Sequence, residues 1–167
     1  VKGKPGTFFG SEGLMGSFAI EFWLCPSVSE NGENIFTWES SKIENDRLVY
    51  QMIDGTFKEG HLEWNITNLF DIYTDDISNP KNLKDITLKG TTNIVPDQWS
   101  YHSLSYDCES GILEYVVNGI TEDLMYVTST GTEQGQTFLV LLGTPSEVHF
   151  CKEYTNYKHN RSKYCNY

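Results

Sequence analysis

The feature that most constrains this chain is a strict alternation in two segments about eighty residues apart. In Ser17 to Leu24, the side chains of Phe18, Ile20, Phe22 and Leu24 fall on one side and those of Ala19, Glu21 and Trp23 on the other. A period of two is the signature of a strand with one buried face, because successive side chains of extended backbone point to opposite sides. The second segment runs from Trp99 to Tyr106-Asp107 and enters the polar turn Cys108-Glu109-Ser110-Gly111. Leu113, Tyr115 and Val117 then alternate up to Asn118-Gly119. That is a hairpin followed by another tight turn, since Asn-Gly tolerates the positive φ that a two-residue connection demands. The core of the resulting all-β protein is predicted to include Phe18, Ile20, Phe22, Leu24, Leu104, Leu113 and Leu141.

Composition narrows the partners. Twenty-three acidic residues against 12 basic ones give a formal charge of −11, which excludes nucleic acid and anionic membrane surfaces, whose binding rests on Lys and Arg displacing counterions. No run of eighteen apolar residues occurs, so no membrane insertion is expected. Aromatic residues make up 14% of the chain, which favours strands and offers rings for stacking. At 167 residues one two-sheet sandwich uses up the length. The sequence starts at Val1 without a Met or an apolar leader, which reads as a processed product or a piece of a longer chain.

Between the two segments, residues 27–34 read as a polar loop, 35–39 and 47–53 as strands, and Leu62 to Thr67 as a strand returning after a turn at Asp54-Gly55. Thr7 to Phe9 reads as a short edge strand. Residues 71–85 form a long stretch without periodicity; such loops are uncommon in compact domains and often carry function. Ile86 to Leu88 and Ile94-Val95 resume the sheet, and Phe138 to Leu142 is an apolar strand suited to the sandwich interior.

The segment Phe18-Ala-Ile-Glu-Phe-Trp-Leu24, the block Trp99 to Asp107, and Leu113-Glu-Tyr-Val-Val-Asn-Gly119, with Ile35 to Trp38 and Arg47 to Met52 between them, resemble a laminin-G-like domain. That resemblance covers roughly Phe8 to Gly143. It implies an all-β, two-sheet antiparallel jelly-roll sandwich of the concanavalin A-like kind and a habit of binding sugars, proteins or calcium. The implied role is a non-enzymatic recognition module that is extracellular, periplasmic or at the cell surface, with carbohydrate or a protein as partner. A structural or assembly subunit is the alternative, and a jelly-roll glycoside hydrolase the third reading. The tail departs from the pattern, because Cys151 to Tyr167 is polar and basic without alternation. It is expected to run as an irregular or short-stranded segment, and the closing strand to be supplied by residues beyond this sequence or by a strand-completing partner chain.

Sugar binding needs rings to stack on pyranose faces and amides or carboxylates to meet hydroxyls. Trp38, Tyr50, Trp64 and Tyr73 are the candidate rings, with Asn65 and Asp71 as polar partners, although Trp64 shares a strand face with Leu62 and Ile66 and reads equally as core. Trp23 and Trp99 read as structural. Calcium is the one cofactor the pattern leaves open; it needs six to eight hard oxygens, and Asp75, Asp76 and Asn79, or Asp107 with Glu109, are the densest acidic positions near turns. The run Glu59-Gly-His61-Leu-Glu63 is similar to the acidic strand motif of jelly-roll glucan hydrolases, but His61 stands where that motif has Asp, and Gly60 reads as a turn residue. His102 shares parity with Leu104 and Tyr106 and is expected to be a neutral, hydrogen-bonded core histidine. Cys25, Cys108, Cys151 and Cys165 allow three pairings, with Cys151 to Cys165 closing a short loop. Asn65-Ile-Thr67 and Asn160-Arg-Ser162 fit the glycosylation sequon.

Overall fold

Among the described residues, twelve strands paired antiparallel with their neighbours account for the alternation. The computed structural model describes residues 3–4, 9, 12–28, 30–44, 46–71, 84–150 and 165–166, with the side chains of 145–147 and 165–166 left aside. One five-stranded sheet contains β3 (Asn34–Glu44), β4 (Arg47–Lys58), β5 (His61–Thr67) and β6 (Asp85–Lys89), with β11 (Thr144–Phe150) on the far side of β3. The other contains β2 (Phe18–Pro26), β7 (Ser100–Asp107), β8 (Ile112–Val117) and β9 (Ile120–Tyr126), with the two-residue β12 (Cys165–Asn166) beside β2. A small third ladder joins β1 (Gly13–Met15) to β10 (Val140–Leu142). This is an all-β, two-sheet antiparallel sandwich, the architecture that the resemblance implied.

The inner faces meet through aromatic rings. Trp64 of β5 packs edge-on against Tyr115 of β8 and Phe22 of β2, each with ring centres 6.1 Å apart, and Phe22 also meets Phe150 of β11 at 6.5 Å. Phe18, Ile20, Leu24, Leu104 and Leu113 are buried as expected, each contributing roughly 1.5–3 kcal/mol through removal of its apolar surface from water. Phe22 is only partly buried but packs on this core. Leu141 is a correction: Val140 and Leu142 are the buried residues of that stretch, and Leu141 faces the other way. The stretch belongs to the small ladder with β1 and not to a main sheet. It is tied down when the buried Gln51 side chain donates to the Leu141 carbonyl at 2.6 Å and accepts from the Gly143 amide at 2.8 Å.

Turn chemistry separates what the pattern resolved from what it blurred. Asn118 and Gly119 both have positive φ, 51° and 81°, and join β8 to β9 as expected. The Cys108–Gly111 turn is held by the Asp107 carboxylate, which accepts from the Ser110 hydroxyl at 2.6 Å and the Glu109 amide at 3.1 Å. The turn expected at Asp54-Gly55 lies instead at Glu59-Gly60, again with two positive φ values, and Gly55 sits inside β4. Its lack of a side chain makes room for Trp64: a Cβ there would stand 3.2 Å from the indole. Ile94 is buried in a loop and anchored by its amide to the Gly60 carbonyl, so Ile94-Val95 is not a strand.

Past β10 the chain is more regular than its pattern as far as Phe150, and residues 151–164, on which the tail expectation falls, lie outside what is described. β11 pairs along β3 from Thr144 to Phe150 with an irregularity between Pro145 and Val148, which is how an edge strand accommodates proline. Cys165 and Asn166 pair with Pro26 and Cys25. Over Phe18–Leu24, the side of β2 turned away from β7 has no ladder partner among the described residues. Cys25 and Cys108 are free thiols. The Cys151 to Cys165 pairing, Thr7-Phe8 and the second sequon lie outside what is described. Among the described residues no helix is long and apolar enough to cross a membrane.

Candidate functional site

The structure redistributes the tryptophans. Trp38 and Trp64 are 0% exposed, so neither can stack on a ligand; both lie on inward-facing positions of their strands, between Phe36 and Ser40 and between Leu62 and Ile66. Trp23 and Trp99, read from sequence as structural, are 58% and 53% exposed. Strand parity explains it: Trp23 alternates with Ile20, Phe22 and Leu24, so it faces outward when they face inward.

On the outer face of β2 and β7, Trp23 stands directly opposite Tyr101. Their rings are 5.4 Å apart at 54°, a separation within the range of favourable aromatic pairs. One diagonal step away, Glu21 accepts a hydrogen bond from the Tyr101 hydroxyl, and that bond is the main reason the phenol's pKa is raised. The Tyr101 backbone is fixed from the β8–β9 turn, its amide donating to Asn118 Oδ1 at 2.9 Å while its carbonyl accepts from the Asn118 amide. Trp99, two residues before Tyr101, has the same parity. An exposed indole, a clamped phenol and a carboxylate thus share one end of one sheet face, with exposed Trp99 just before the strand.

The outer face of the other sheet carries the remaining described candidates. Tyr50 is 70% exposed and has its backbone carbonyl bonded by Asn68 Nδ2 at 2.9 Å. Asn65 lies opposite Asp54 on one side and Thr87 on the other, and accepts from the Thr87 hydroxyl at 3.0 Å. Asp54 is the centre of this face: it accepts from Asn34 Nδ2, from Thr37 Oγ1 at 3.1 Å and from Thr56 Oγ1 at 2.7 Å. Asp71 is half-buried at the end of the sandwich, its amide bonded to the Leu139 carbonyl, away from both groups. Tyr73, Asp75, Asp76 and Asn79 lie outside the described residues. Among the described residues no group of three or more His, Cys, Asp or Glu is placed to hold a metal ion, and the Asp107 carboxylate is already engaged by its turn.

The acidic motif is dispersed. Glu59 sits in the turn between β4 and β5, while Glu63 on β5 pairs with Lys58 at 3.0 Å. Buried histidine chemistry lies elsewhere. His102 is fully buried and stacks on Phe22 with ring centres 5.3 Å apart. The Ser100 hydroxyl donates to the Leu24 carbonyl at 3.4 Å, so its oxygen accepts from His102 Nε2, 2.8 Å away, and Nδ1 accepts from the Tyr115 hydroxyl, also at 2.8 Å. Burial lowers the His102 pKa to about 4, against a weaker pull upward from Glu122. The ring is a neutral structural histidine, as its parity predicted.

The sequence pattern did not single out Glu122. One extra residue in β9 between the partners of Tyr115 and Val116 turns its side chain onto the segment after β6. There the carboxylate accepts from the amides and hydroxyls of both Thr91 and Thr92. Burial pushes its pKa up, but these four bonds outweigh burial and bring it down to about 2. A bulge has no signature in hydrophobic pattern, which is why the residue escaped notice.

No family model matches the chain, and no curated protein matches it in sequence. Among solved structures it is similar to domains LG4-5 of the mouse laminin alpha1 chain, at 13% identity and a TM-score of 0.46, over 90% of this chain and 34% of that one. It is also similar to the native heptameric SAP-like pentraxin from Limulus polyphemus, at 13% identity and a TM-score of 0.42, over 83% of this chain and 61% of that one. The chain therefore spans less than two thirds of the length of either. These are likenesses of fold alone.

Proposed function

We propose that this chain is a non-enzymatic recognition module that binds a neutral carbohydrate on the outer face of β2 and β7. The observation that carries the reading is exposed Trp23 paired with half-buried Tyr101, with Glu21 on the phenol and exposed Trp99 just before the strand. Exposed indoles lose water-contacting apolar area when a pyranose face covers them, and a carboxylate held in place by a phenol is a ready acceptor for sugar hydroxyls. A net charge of −11 favours neutral over sulfated or uronic sugars, which like-charge repulsion would disfavour. Carbohydrate recognition of this kind fits an extracellular or cell-surface setting.

The test is affinity electrophoresis of the chain in gels containing neutral β-glucan, galactan or chitin oligosaccharide, with heparin as the anionic control. Retardation in at least one neutral gel, lost on Trp23→Ala and on Trp99→Ala, supports the reading. Retardation by none of them, or retardation indifferent to both substitutions, removes it. Turnover of those polysaccharides that Glu63→Gln abolishes would restore the hydrolase reading.

A protein partner is the second reading, and a different feature favours it. At the β3–β4 hairpin tip, Ile43 and Leu48 face each other across the ladder with Tyr50 next along, and all three are exposed. Exposed contiguous apolar residues of this kind mark protein contacts.

A further inference from the structure

A groove of about 420 Å³ runs between β6 and β9, the edge strands of the two sheets, lined by Asp85, Leu88, Asp123, Leu124 and Met125 among others. Backbone pairing fixes what the groove offers. Gly90 donates to the Leu62 carbonyl and Asn68 to the Lys84 carbonyl, so the even-numbered residues of β6 direct their backbone groups to β5. Antiparallel ladders alternate; the N–H and C=O of Thr87 therefore point the other way, into the groove. On β9, the bond from Val127 to the Gly111 carbonyl sets the same alternation, and Leu124 and Tyr126 present their backbone groups outward. At one end Asp123 closes the gap, accepting from the Lys89 amide at 2.8 Å and the Leu124 amide at 2.9 Å. Beyond that clamp, no strand occupies the space between the two edges among the described residues.

We propose that this groove takes an extended segment of a protein partner, added as a strand to the outer edge of β6, with basic and apolar residues alternating. The period of two follows from the faces of β6. Outward it shows exposed Asp85 and Thr87, and inward it shows Ile86 and Leu88, with Met125 across the groove. A strand laid beside it would set every second side chain against Asp85 and the others against Leu88 and Met125. The acidic surface, at a net charge of −11, favours Lys or Arg in the outward positions, placed toward Asp85 because Lys89 stands at the other end. Main-chain pairing supplies affinity and the alternate side chains supply selectivity. This site is separate from the Trp23 face and does not depend on what binds there.

The experiment is fluorescence anisotropy of the full chain with a short fluorescein-labelled peptide of alternating Lys and Val, against one of alternating Glu and Val. The Lys peptide is expected to bind more tightly, with affinity falling as salt rises. Thr87→Pro removes one groove-facing N–H that takes no part in the β5 ladder, a replacement that sheet edges tolerate. It is expected to weaken binding roughly fivefold or more, whereas Thr87→Val, which keeps the N–H and loses only the hydroxyl, leaves it unchanged. Asp85→Lys, independent of any backbone effect, is expected to reverse the preference between the two peptides. Equal affinity of Thr87→Pro and Thr87→Val, no preference for the Lys peptide, or no binding of either overturns the proposal. Self-association of the chain that Thr87→Pro abolishes also overturns it, by making a second copy the occupant.

Discussion

The two outer faces of the sandwich share one backbone geometry and use their polar groups in opposite ways. On the β3–β4–β5 face, Asp54 is saturated by Asn34, Thr37 and Thr56, and Asn65 is taken by Thr87. Asn34 and Thr37 are themselves buried. That face satisfies its own donors and acceptors, so a ligand arriving there would have to break bonds before making any. On the β2–β7 face, the bond from Tyr101 to Glu21 orients the phenol, and the Trp23 ring paired with it stays open to solvent. A face that is complete without a partner contributes to stability, and a face that leaves aromatic area uncovered gains from a partner. The contrast supports the proposed reading, in which the first face serves folding and the second recognition.

The sharpest way to break that assignment compares two tryptophans. Trp64→Ala removes an indole that is 0% exposed and packs on Phe22, Phe36 and Tyr115. It is expected to cost about 3–5 kcal/mol, read as a shift of the urea midpoint. Trp23→Ala should leave stability within about 1 kcal/mol of wild type while abolishing retardation in the sugar gel. If the two substitutions destabilise alike, the β2–β7 face is structural after all.

Next in size is the pH dependence of the interior beneath both faces. His102 has a folded pKa of about 4 against an ordinary 6.5. Above pH 6.5 neither folded nor unfolded chain is protonated there, and the group contributes nothing to pH dependence. Below it the unfolded chain takes the proton first, so stability falls as pH drops toward 4, by on the order of 2 kcal/mol between pH 7.5 and 5. Glu122 acts in the same direction lower down: its folded pKa of about 2 lies below the ordinary 4.5, so its contribution is present above 4.5 and lost as pH falls through 2. Urea unfolding at a series of pH values, for wild type and for His102→Phe, isolates the histidine; parallel curves between pH 7.5 and 5 would disprove the role of His102.

Smaller still is the polar face. Asp54→Ala strands the Asn34 and Thr56 donors, while Thr37 keeps Asn34 Oδ1 as its acceptor, and is expected to cost about 1–2 kcal/mol, with sugar-gel mobility unchanged. Loss of retardation in this variant, at a temperature where circular dichroism shows it folded, would move recognition to the wrong side of the sandwich in our assignment.

How much of this was legible in the sequence follows from what period and turn chemistry can encode. The strands around Phe18 and Leu113 and the Asn118-Gly119 turn rest on local rules, and the structure carries them. Gly55 misled because a glycine beside an Asp resembles a turn, while its actual cause is Trp64 on the neighbouring strand, a contact no local window contains. The strand at Thr144–Phe150 was hidden because an edge strand with Pro145 need not alternate. For the candidate rings, parity decides exposure: it placed Trp23 outward beside Glu21 and Trp38 and Trp64 inward, where both are buried. Glu122 owes its position to a bulge, which only the three-dimensional register reveals.

The smallest expected effect is the one that separates the faces most cleanly. Tyr50 is 70% exposed and shares its face with Asn65, so sequence pattern makes it as good a stacking residue as Tyr101. The structure distinguishes them by support: Tyr101 has an indole opposite and a carboxylate on its hydroxyl, whereas the side chain opposite Tyr50 is Ser41. An unsupported ring must be immobilised by the ligand itself, at a cost in side-chain entropy of about 0.5–1.5 kcal/mol that offsets what stacking gains. Tyr50→Ala is therefore expected to change stability by no more than about 0.5 kcal/mol and to leave sugar retardation as in wild type, while Tyr101→Ala reduces it. Pull-down with Tyr50→Ala as bait then addresses the remaining use of that ring: a partner lost with Tyr50 and retained with Trp23→Ala would establish the Ile43–Leu48 tip as a protein contact working independently of the sugar face.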